Sequence, residues 1–288
     1  LRFVRVTFSS MPKILVAGDV AGNLEELYKR VGVVNSKSGP FDCLFCTGEF
    51  FGSADVGGED DEQPNYVDLD PVRPYKRGEK VAPLPTYFIC GKEWGPSLDQ
   101  TSGFQEVAKN IFFLGSQGIQ DLHGLRVAFM SGHYPLQALG ALETMQSKAL
   151  IGLHDPTNPV DILLTAQWPT AVCSMLQGSA PPNVRGQPLR QVGTTAASAV
   201  AKSLCPRYHF SGNERTFYER APYINPPSNN KPGTVRHITR FFGLSQVGDP
   251  DKKNRWLYAA GVTAVRDMTP DALNSQPPNT TPSPHAPP

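Results

Sequence analysis

Several short apolar runs in this sequence are each followed directly by polar or acidic residues. The clearest run covers residues 13–17, after which Gly18 and Asp19 begin a turn. Apolar runs of this length predict buried strands, and open α/β sheets bind their ligands at the carboxyl ends of such strands. Four runs end in this way, and the polar residues that follow them are Asp19, Glu49, the Lys92-Glu93 pair and Thr165. The pattern predicts a phosphate or metal site at one edge of an α/β sheet.

The segments between these runs predict the elements that hold the site in place. Gly22 and Asn23 open a predicted helix at residues 24–34, and His123-Gly124 predicts a tight hairpin turn. Further helices are predicted at residues 136–150 and 196–204, with one helical turn at 103–110. Further strands are predicted at residues 111–114, 119–122, 125–131, 207–212, 216–220, 236–244 and 255–265. Strands that alternate with helices indicate an α/β class.

The composition limits the class of protein. With 288 residues, the chain can bury a sizeable core in one large domain or two small ones. Lys and Arg total 27 against 26 Asp and Glu, which argues against a protein that coats nucleic acid but is compatible with a local basic groove. No apolar run approaches the roughly 20 residues that a membrane span needs.

The cysteines and the common nucleotide motifs point to no further site. Three of the five cysteines, Cys43, Cys46 and Cys90, lie in apolar runs, which predicts buried reduced thiols. Cys43 and Cys46 have the spacing of a redox or zinc pair, but residues three apart on a strand face opposite sides. The sequence contains no dinucleotide fingerprint, phosphate loop or serine nucleophile elbow.

Three segments are expected to lie outside the core. Residues 1–10 precede Met11 and are expected to be an N-terminal extension. Residues 54–84 are charged and rich in Pro and Gly, which predicts a long surface insertion, either a solvated loop or a partner-binding loop. Residues 269–288 contain seven prolines and predict a linker. The domain itself is therefore expected at residues 11–268.

Basic and aromatic residues are interleaved between residues 202 and 220, a pattern that favours contact with RNA. The candidate RNA-facing residues are Lys202, Arg207, His209 and Arg220. Because alternate residues of a strand face opposite sides, only part of this set can share one surface.

The strand-end motifs resemble those of calcineurin-like metallophosphoesterases. Gly18-Asp-Val-Ala-Gly22 is similar to that superfamily's Gly-Asp-x-His-Gly, Gly48-Glu49 to its Gly-Asp, and Gly91-Lys-Glu93 to its Gly-Asn-His. Residues 165–169 resemble the Ser-His-Asp-Trp-Pro of its lariat-debranching branch, and residues 206–215 resemble the Pro-Arg-Tyr…His-x-His segment of the same branch. The resemblance implies an α/β fold, a calcineurin-like metallophosphoesterase sandwich of two mixed β-sheets flanked by helices.

The chain departs from the superfamily's metal-ligand pattern at nearly every position. Two-metal phosphoesterases clamp phosphate between two divalent ions ~3.5–4 Å apart. Of the matched positions only Asp19 is unchanged, and the others hold Ala21, Glu49, Lys92, Glu93, Ala166, Asn213 and Arg215. Alanine cannot coordinate a metal, and Lys and Arg repel divalent ions. The resemblance therefore implies a degenerate former active site with no catalytic residue, no metal and no cofactor.

Two of these replacements suggest a structural role. Lys92 and Arg215 place positive charge where the metals would sit, and the carboxylates of Asp19 and Glu49 can form ion pairs with them. Ion pairs are therefore expected to hold the strand ends together in place of metals. The alternative is drift after loss of activity, because exposed ion pairs contribute little to stability.

The particular departures resemble one family. Residues 18–22, 48–52, 83–89, 239–258 and 276–284 are similar to the N-terminal region of the CwfJ family, nuclear proteins associated with the spliceosome and with the debranching enzyme. The resemblance implies a noncatalytic scaffold in pre-mRNA splicing and intron-lariat turnover. Its implied partners are the RNA lariat debranching enzyme and components of late, intron-lariat spliceosomes, and not a membrane. Residues 269–288 would then lead to C-terminal CwfJ domains outside this chain.

Two other functions stay open at this point. One is a residual metal-dependent phosphodiesterase that uses Asp19, Glu49 and Glu93, which manganese-dependent turnover lost in Asp19→Ala would support. The other is an RNA-binding module that contacts lariat RNA, which a salt-dependent RNA affinity lost with Arg207 and Arg215 would support.

Overall fold

The computed structural model describes residues 11–52, 70–91, 98, 103–132, 139–176, 184, 186, 188–225 and 237–285. In these residues the strands form two mixed sheets with helices against their outer faces, as the resemblance implies. The predicted extension at residues 1–10 lies outside the described residues. No helix within the described ranges is long and apolar enough to cross a membrane.

The first sheet contains the strands that lead to Asp19 and Glu49. It is formed by β1 (Lys13–Ala17), β2 (Cys43–Cys46), β3 (Thr86–Phe88), β4 (Gln105–Ala108), β5 (Ile111–Phe113) and β13 (Leu257–Gly261). The strand order is β13-β1-β2-β3-β5-β4, and the inner strands are parallel, whereas the edge strands β13 and β4 run antiparallel to their neighbours. The carboxyl ends of β1, β2 and β3 therefore meet at one edge.

The second sheet brings the remaining motifs to the same side of the molecule. It is formed by β6 (Gln117–Leu122), β7 (Leu125–Met130), β8 (Ile162–Thr165), β9 (Tyr208–Ser211), β10 (Tyr218–Glu219), β11 (Tyr223–Ile224) and β12 (Ile238–Gly243). The order is β10-β12-β9-β8-β7-β6, with β11 on β12, and β7, β8, β9 and β12 are parallel. The hairpin predicted at His123-Gly124 is confirmed, and both turn residues have positive φ.

The described residues include five α-helices, and all but the last pack against the outer faces of the two sheets, whereas the last buries no residue. They are α1 (Leu24–Ser38), α2 (Arg73–Lys76), α3 (Leu139–Gly152), α4 (Thr195–Leu204) and α5 (Pro270–Asn274). The three longer helices agree with the periodicity of the sequence, with ends shifted by a few residues. Helix α1 buries Leu27 and Val31 against the first sheet, and α4 buries Val200 and Leu204 against the second.

The main core lies between the two sheets and contains side chains from both, such as Val16, Phe45, Leu164 and Phe242. Cys43 belongs to this central core, whereas Cys46 packs in the layer between the first sheet and α1. The prediction that Cys43 and Cys46 face opposite sides is therefore confirmed. Burial raises the pKa of both thiols above the ordinary cysteine value, so they are protonated and inert.

The helical turn predicted at residues 103–110 is wrong, because residues 105–108 form strand β4. This strand pairs antiparallel with β5, and Val107 is buried. A short segment takes the conformation that its neighbour can pair with, and tertiary pairing outweighs weak local propensity.

The predicted surface insertion is only partly a surface loop. Residues 53–69 lie outside the described residues, but residues 70–84 return to the domain and include α2. Val72 and Leu84 are buried in the core under α1. The ring of Tyr75 packs edge-on against that of Tyr28, with 5.3 Å between the ring centres. The apolar residues hidden in a proline-rich stretch therefore extend the core.

The segment predicted as a linker also packs against the domain. Thr281 and Ser283 are each 5% exposed. The N–H of Thr281 donates to Pro222 O at 2.8 Å, and the N–H of Ile224 donates to Thr281 O at 3.0 Å. Thr281 is thus held by strand-like pairing beside β11, which a high proline content does not prevent at an edge.

Candidate functional site

Asp19 stands at the carboxyl end of β1, where the chain turns toward α1. Its side chain is 2% exposed, and Oδ1 accepts a hydrogen bond of 2.8 Å from the backbone N–H of Glu49. The N–H groups of Val20 and Ala21 donate to the carbonyl of Glu49 at 2.7 and 2.9 Å. The turns after β1 and β2 therefore form one hydrogen-bonded unit around a buried carboxylate.

Arg215 brings a cation to this carboxylate from the second sheet. It follows β9, and its Nε lies 3.1 Å from Asp19 Oδ2. Its side chain is 41% exposed, so the pair lies at the boundary between core and solvent. The backbone of Arg215 has φ +47°, a left-handed conformation that costs a residue with a side chain about 1–2 kcal/mol. The ion pair expected between Arg215 and an acid is present, and other contacts hold Arg215 in this conformation.

Those contacts come from the loop between β12 and β13. Asn254 Nδ2 donates to the carbonyl of Arg215 at 3.2 Å and to Asp249 Oδ2 at 2.7 Å. Ser245 Oγ also lies 3.1 Å from the Arg215 carbonyl and 2.7 Å from Asp249 Oδ2. Three side chains therefore fix the backbone from which the guanidinium extends. Sequence reasoning missed this network, and the signal available was the turn-forming Asp249-Pro250-Asp251.

Glycine backbones close the site tightly around the acids. A Cβ on Gly48 would lie 2.0 Å from Asp19 Oδ1. A Cβ on Gly91 would lie 2.6 Å from Glu49 Oε2 and 2.8 Å from Asn213 Oδ1. Glu49 and Asn213 thus approach the backbone of Gly91 from different sheets. Only glycine fits between them.

Ala166 contributes its backbone in place of a ligand side chain. Its carbonyl accepts from the N–H of Asn213 at 2.9 Å and from Ser211 Oγ at 3.1 Å. The neighbouring Glu214, which is 9% exposed, accepts from the N–H of Trp168 at 2.9 Å. These bonds tie the loops after β8 and β9 together. Glu214 was also missed by the sequence reasoning, which considered only the residues on either side of it.

The residues that the structure describes at this edge do not fit the pair of divalent ions that the fold family implies. Ala21 and Ala166 offer no donor atom, and the guanidinium of Arg215 bonds one oxygen of Asp19. In the part of the chain that the structure describes, no group of three or more His, Cys, Asp or Glu residues could hold a metal ion. Among the matched positions that the structure describes, side-chain oxygens come from Asp19, Glu49 and Asn213.

The structure brings most of the predicted former active site together. Asp19, Ala21, Glu49, Ala166, Asn213 and Arg215 all lie on the turns that follow β1, β2, β8 and β9. Lys92 and Glu93 lie outside the described residues, so the second predicted ion pair stays a prediction.

Two of the four candidate RNA-facing residues are in the interior, so that part of the prediction is wrong. His209 is 0% exposed and Arg220 is 2% exposed. His209 Nε2 lies 2.8 Å from Thr165 Oγ1, and burial lowers the pKa of the ring to about 3, so it is neutral at neutral pH. Lys202 is exposed and Arg207 is half-buried. Strand alternation turns His209 away from the central core that Tyr208 and Phe210 face, and it is buried beside Phe241 on the other face of the second sheet. Arg220 follows the short strand β10 into a layer of loops.

Replacing Gly48 with alanine is expected to destabilise the chain by about 2 kcal/mol more than the same change at Gly78. Both glycines have φ in the left-handed region, +90° and +72°, so an alanine is strained by the backbone at either position. A Cβ at Gly78 meets no atom within 4 Å, whereas one at Gly48 overlaps Asp19 and lies 3.0 Å from the Cα of Gly212. Urea unfolding of the two variants measures the difference. Equal losses would mean that the turns around Asp19 are not closely packed.

The chain is similar to curated proteins over almost its entire length, although no protein-family model matches it. It is 35% identical to zinc finger CCCH domain-containing protein 64 of Arabidopsis thaliana over 283 residues, which covers 94% of the chain and 44% of that protein. It is 33% identical to CWF19-like protein 1 of Mus musculus and 34% identical to the CWF19-like protein 1 homolog of Caenorhabditis elegans. Each of these two alignments covers 95% of the chain and 48% of the relative. The chain thus spans about half the length of the curated relatives it matches.

Solved structures share the fold at low sequence identity. One crystal structure, 13% identical, covers 87% of this chain and 99% of its own chain with a TM-score of 0.50. The crystal structure of TT1561 of Thermus thermophilus is 16% identical and covers 88% of this chain and 99% of its own, with a TM-score of 0.47. The first likeness concerns the fold alone. Together with the two mixed sheets and their flanking helices, it confirms the predicted α/β sandwich of two mixed β-sheets flanked by helices.

Proposed function

Because this chain belongs to the CwfJ, or CWF19-like, family, we propose that it is a noncatalytic scaffold in pre-mRNA splicing and intron-lariat turnover. In this proposal it acts in the nucleus, where it binds the RNA lariat debranching enzyme, associates with late spliceosomes and promotes debranching. The metallophosphoesterase-like domain serves as a binding body, and its former active site serves as a structural joint between the two sheets.

The observation that supports a noncatalytic role is the pair between Arg215 and Asp19. A two-metal site needs Asp19 as a ligand, and here a guanidinium lies 3.1 Å from its Oδ2. A guanidinium stays protonated at any physiological pH, so a divalent ion beside Asp19 would meet a fixed positive charge. The hydrogen bond from the N–H of Glu49 uses the other oxygen. Both carboxylate oxygens of Asp19 are therefore bonded to groups of the protein itself.

The first test of this proposal is calorimetric titration of the chain with manganese chloride. We expect no stoichiometric binding at millimolar metal, and the debranching enzyme serves as the positive control. Micromolar binding that Asp19→Ala abolishes would contradict the noncatalytic proposal and favour the residual phosphodiesterase.

The second test concerns the partner. The purified chain is added to the debranching enzyme with a branched RNA substrate, and initial rates are compared with and without the chain. We expect a higher rate and a direct complex by calorimetry. A rate and a heat signal that do not change at micromolar concentrations of both proteins would overturn the scaffold role.

A further inference from the structure

Three half-buried aromatic rings emerge at the open side of the sandwich, between edge strand β13 and the edge formed by β10 and β12. Tyr208, Phe217 and Tyr258 all pack against the central core, yet each keeps part of its surface accessible. The Tyr258 ring lies 4.4 Å from that of Phe242 and 5.8 Å from that of Phe210. The three rings are therefore fixed from behind by the core.

Arginine side chains lie over or beside these rings. The Arg255 guanidinium is 4.4 Å from the centre of the Phe217 ring, and that of Arg207 is 5.7 Å from the centre of the Tyr208 ring. Arg240 is the register partner of Tyr208 on the neighbouring strand, so the two side chains stand side by side on one face. We call the surface formed by Arg207, Tyr208, Phe217, Arg240, Arg255 and Tyr258 the open-edge strip.

Positive charge predominates around the centre of this strip. Burial raises the pKa of the Tyr258 hydroxyl, Glu219 and Tyr208 raise it further, and Arg240 and Arg255 lower it. Three arginines therefore share the strip with the exposed acid Glu219. Lys252 and Lys253, which precede Arg255 in the same loop, are exposed, but Asp249 and Asp251 of that loop balance their charge, so the positive surplus comes from the three arginines. The near-neutral charge of the whole chain thus conceals a local basic surface.

The strip also reaches the former active site. The N–H of Ser245 donates to the carbonyl of Arg255 at 3.0 Å, and the hydroxyl of the same Ser245 lies 3.1 Å from the carbonyl of Arg215. Arg215 is itself part-exposed. Strand β9 spans four residues, so the strip runs on the order of 13 Å from Arg207 toward the carboxyl end of β9.

We propose that the open-edge strip binds single-stranded RNA, with arginines on the phosphates and aromatic rings or guanidinium planes against unstacked bases. The aromatic rings can stack on bases, since every base has a π-face, and the arginines beside them can pair with the phosphate that every nucleotide linkage carries. An acidic peptide would use the arginines and leave the ring faces without a partner. This inference goes beyond the scaffold function and does not depend on it.

Fluorescence anisotropy with a labelled single-stranded RNA of about 12 nucleotides tests the strip. Binding by the chain is compared with that of the variant Arg240→Gln/Arg255→Gln, at about 50 mM and 200 mM salt. We expect the variant to bind at least about tenfold more weakly, with a salt slope smaller by about 1.4, the value for two phosphate contacts on a single strand. The matched control is Lys29→Gln/Arg30→Gln, which removes two exposed charges from α1 and is expected to bind as the unmodified chain does.

A second pair of variants separates stacking from charge. Phe217→Leu and Tyr208→Leu, with thermal unfolding as a check of the fold, are expected to weaken binding several-fold and leave the salt slope unchanged. The proposal is overturned if the chain does not bind RNA at tens of micromolar, or if the arginine variant binds as the control does. It is also overturned if a polyglutamate peptide displaces the RNA at equal concentration. No debranching enzyme is present in this assay, so its outcome is distinguishable from that of the scaffold tests.

Discussion

Replacing Arg220 with methionine is expected to lower the free energy of unfolding by about 4 kcal/mol. Arg220 is 2% exposed, and its guanidinium donates to the carbonyls of Val172, Ser174 and Ala221 at 2.6, 2.9 and 2.5 Å. It also donates to Thr281 Oγ1 at 2.9 Å. Methionine fills much of the same space but leaves these acceptors without their donors, and a buried unsatisfied group costs about 1–3 kcal/mol. Urea unfolding followed by circular dichroism measures the loss.

Two further variants define what Arg220 stabilises. Thr281→Val removes one acceptor and is expected to cost about 1 kcal/mol, because the three carbonyl bonds persist. Arg77→Met removes an exposed arginine whose partner Glu79 is 3.8 Å away, and it is expected to change stability by less than about 0.5 kcal/mol. A loss below about 1 kcal/mol for Arg220→Met would show that water replaces the guanidinium in this layer of loops.

Arg220 also accounts for the packed C-terminal segment. It connects the loop after β8, through Val172 and Ser174, to Thr281, and its guanidinium lies 5.0 Å from the centre of the Tyr223 ring. The ring of His285 belongs to the same layer, because it makes an edge contact with Tyr223 at 5.7 Å. A single buried cation therefore holds residues that are far apart in the sequence.

Strands and helices whose own residues show an apolar run or an apolar stripe could be predicted from the sequence. Elements whose conformation depends on pairing with residues far away in the chain could not. Strands β1, β2 and β8 are continuous apolar runs, and α1 and α4 have a helical apolar stripe, so each segment carries its own signal. Strand β4 carries no such signal, because Gln105-Glu106-Val107-Ala108 becomes a strand only by pairing with β5. The buried end of the predicted linker has the same cause, since its partners Pro222 and Ile224 lie about 60 residues earlier.

The candidate site shows the same division. The sequence shows where the apolar runs of β1 and β2 end, and the carboxyl ends of parallel strands meet at one edge of a sheet. The positions of Asp19 and Glu49 could therefore be predicted. The sequence marks a turn at Asp249-Pro250-Asp251, but its contact with Arg215 could not be predicted, because Ser245, Asp249 and Asn254 belong to a loop that connects the two sheets. The sequence also could not show which side chains near the ends of short strands are buried and which are exposed. His209 and Arg220, both predicted to face RNA, are buried.

Removal of the guanidinium that pairs with Asp19 is expected to cost about 3 kcal/mol in Arg215→Met. Asp19 would keep its bond from the N–H of Glu49, but its 2% exposed carboxylate would lose the positive charge beside it. Asp19→Asn alone leaves Arg215 able to reach solvent, since its side chain is 41% exposed, so we expect a smaller loss of about 1–2 kcal/mol. Urea unfolding of the unmodified chain, both single variants and the double variant gives the coupling energy.

The coupling energy distinguishes an ion pair that stabilises the contact between the two sheets from charges that persist by drift. If the pair holds the two sheets together, Asp19→Asn/Arg215→Met is less destabilised than the sum of the single variants, with a coupling near about 2 kcal/mol. The matched control is Arg77→Met/Glu79→Gln, an exposed pair 3.8 Å apart, for which a coupling below about 0.5 kcal/mol is expected. A value for Asp19 and Arg215 as small as that of the control would mean that the charges persist by drift. A large value would mean that the ion pair between Asp19 and Arg215 holds the turns of the two sheets together.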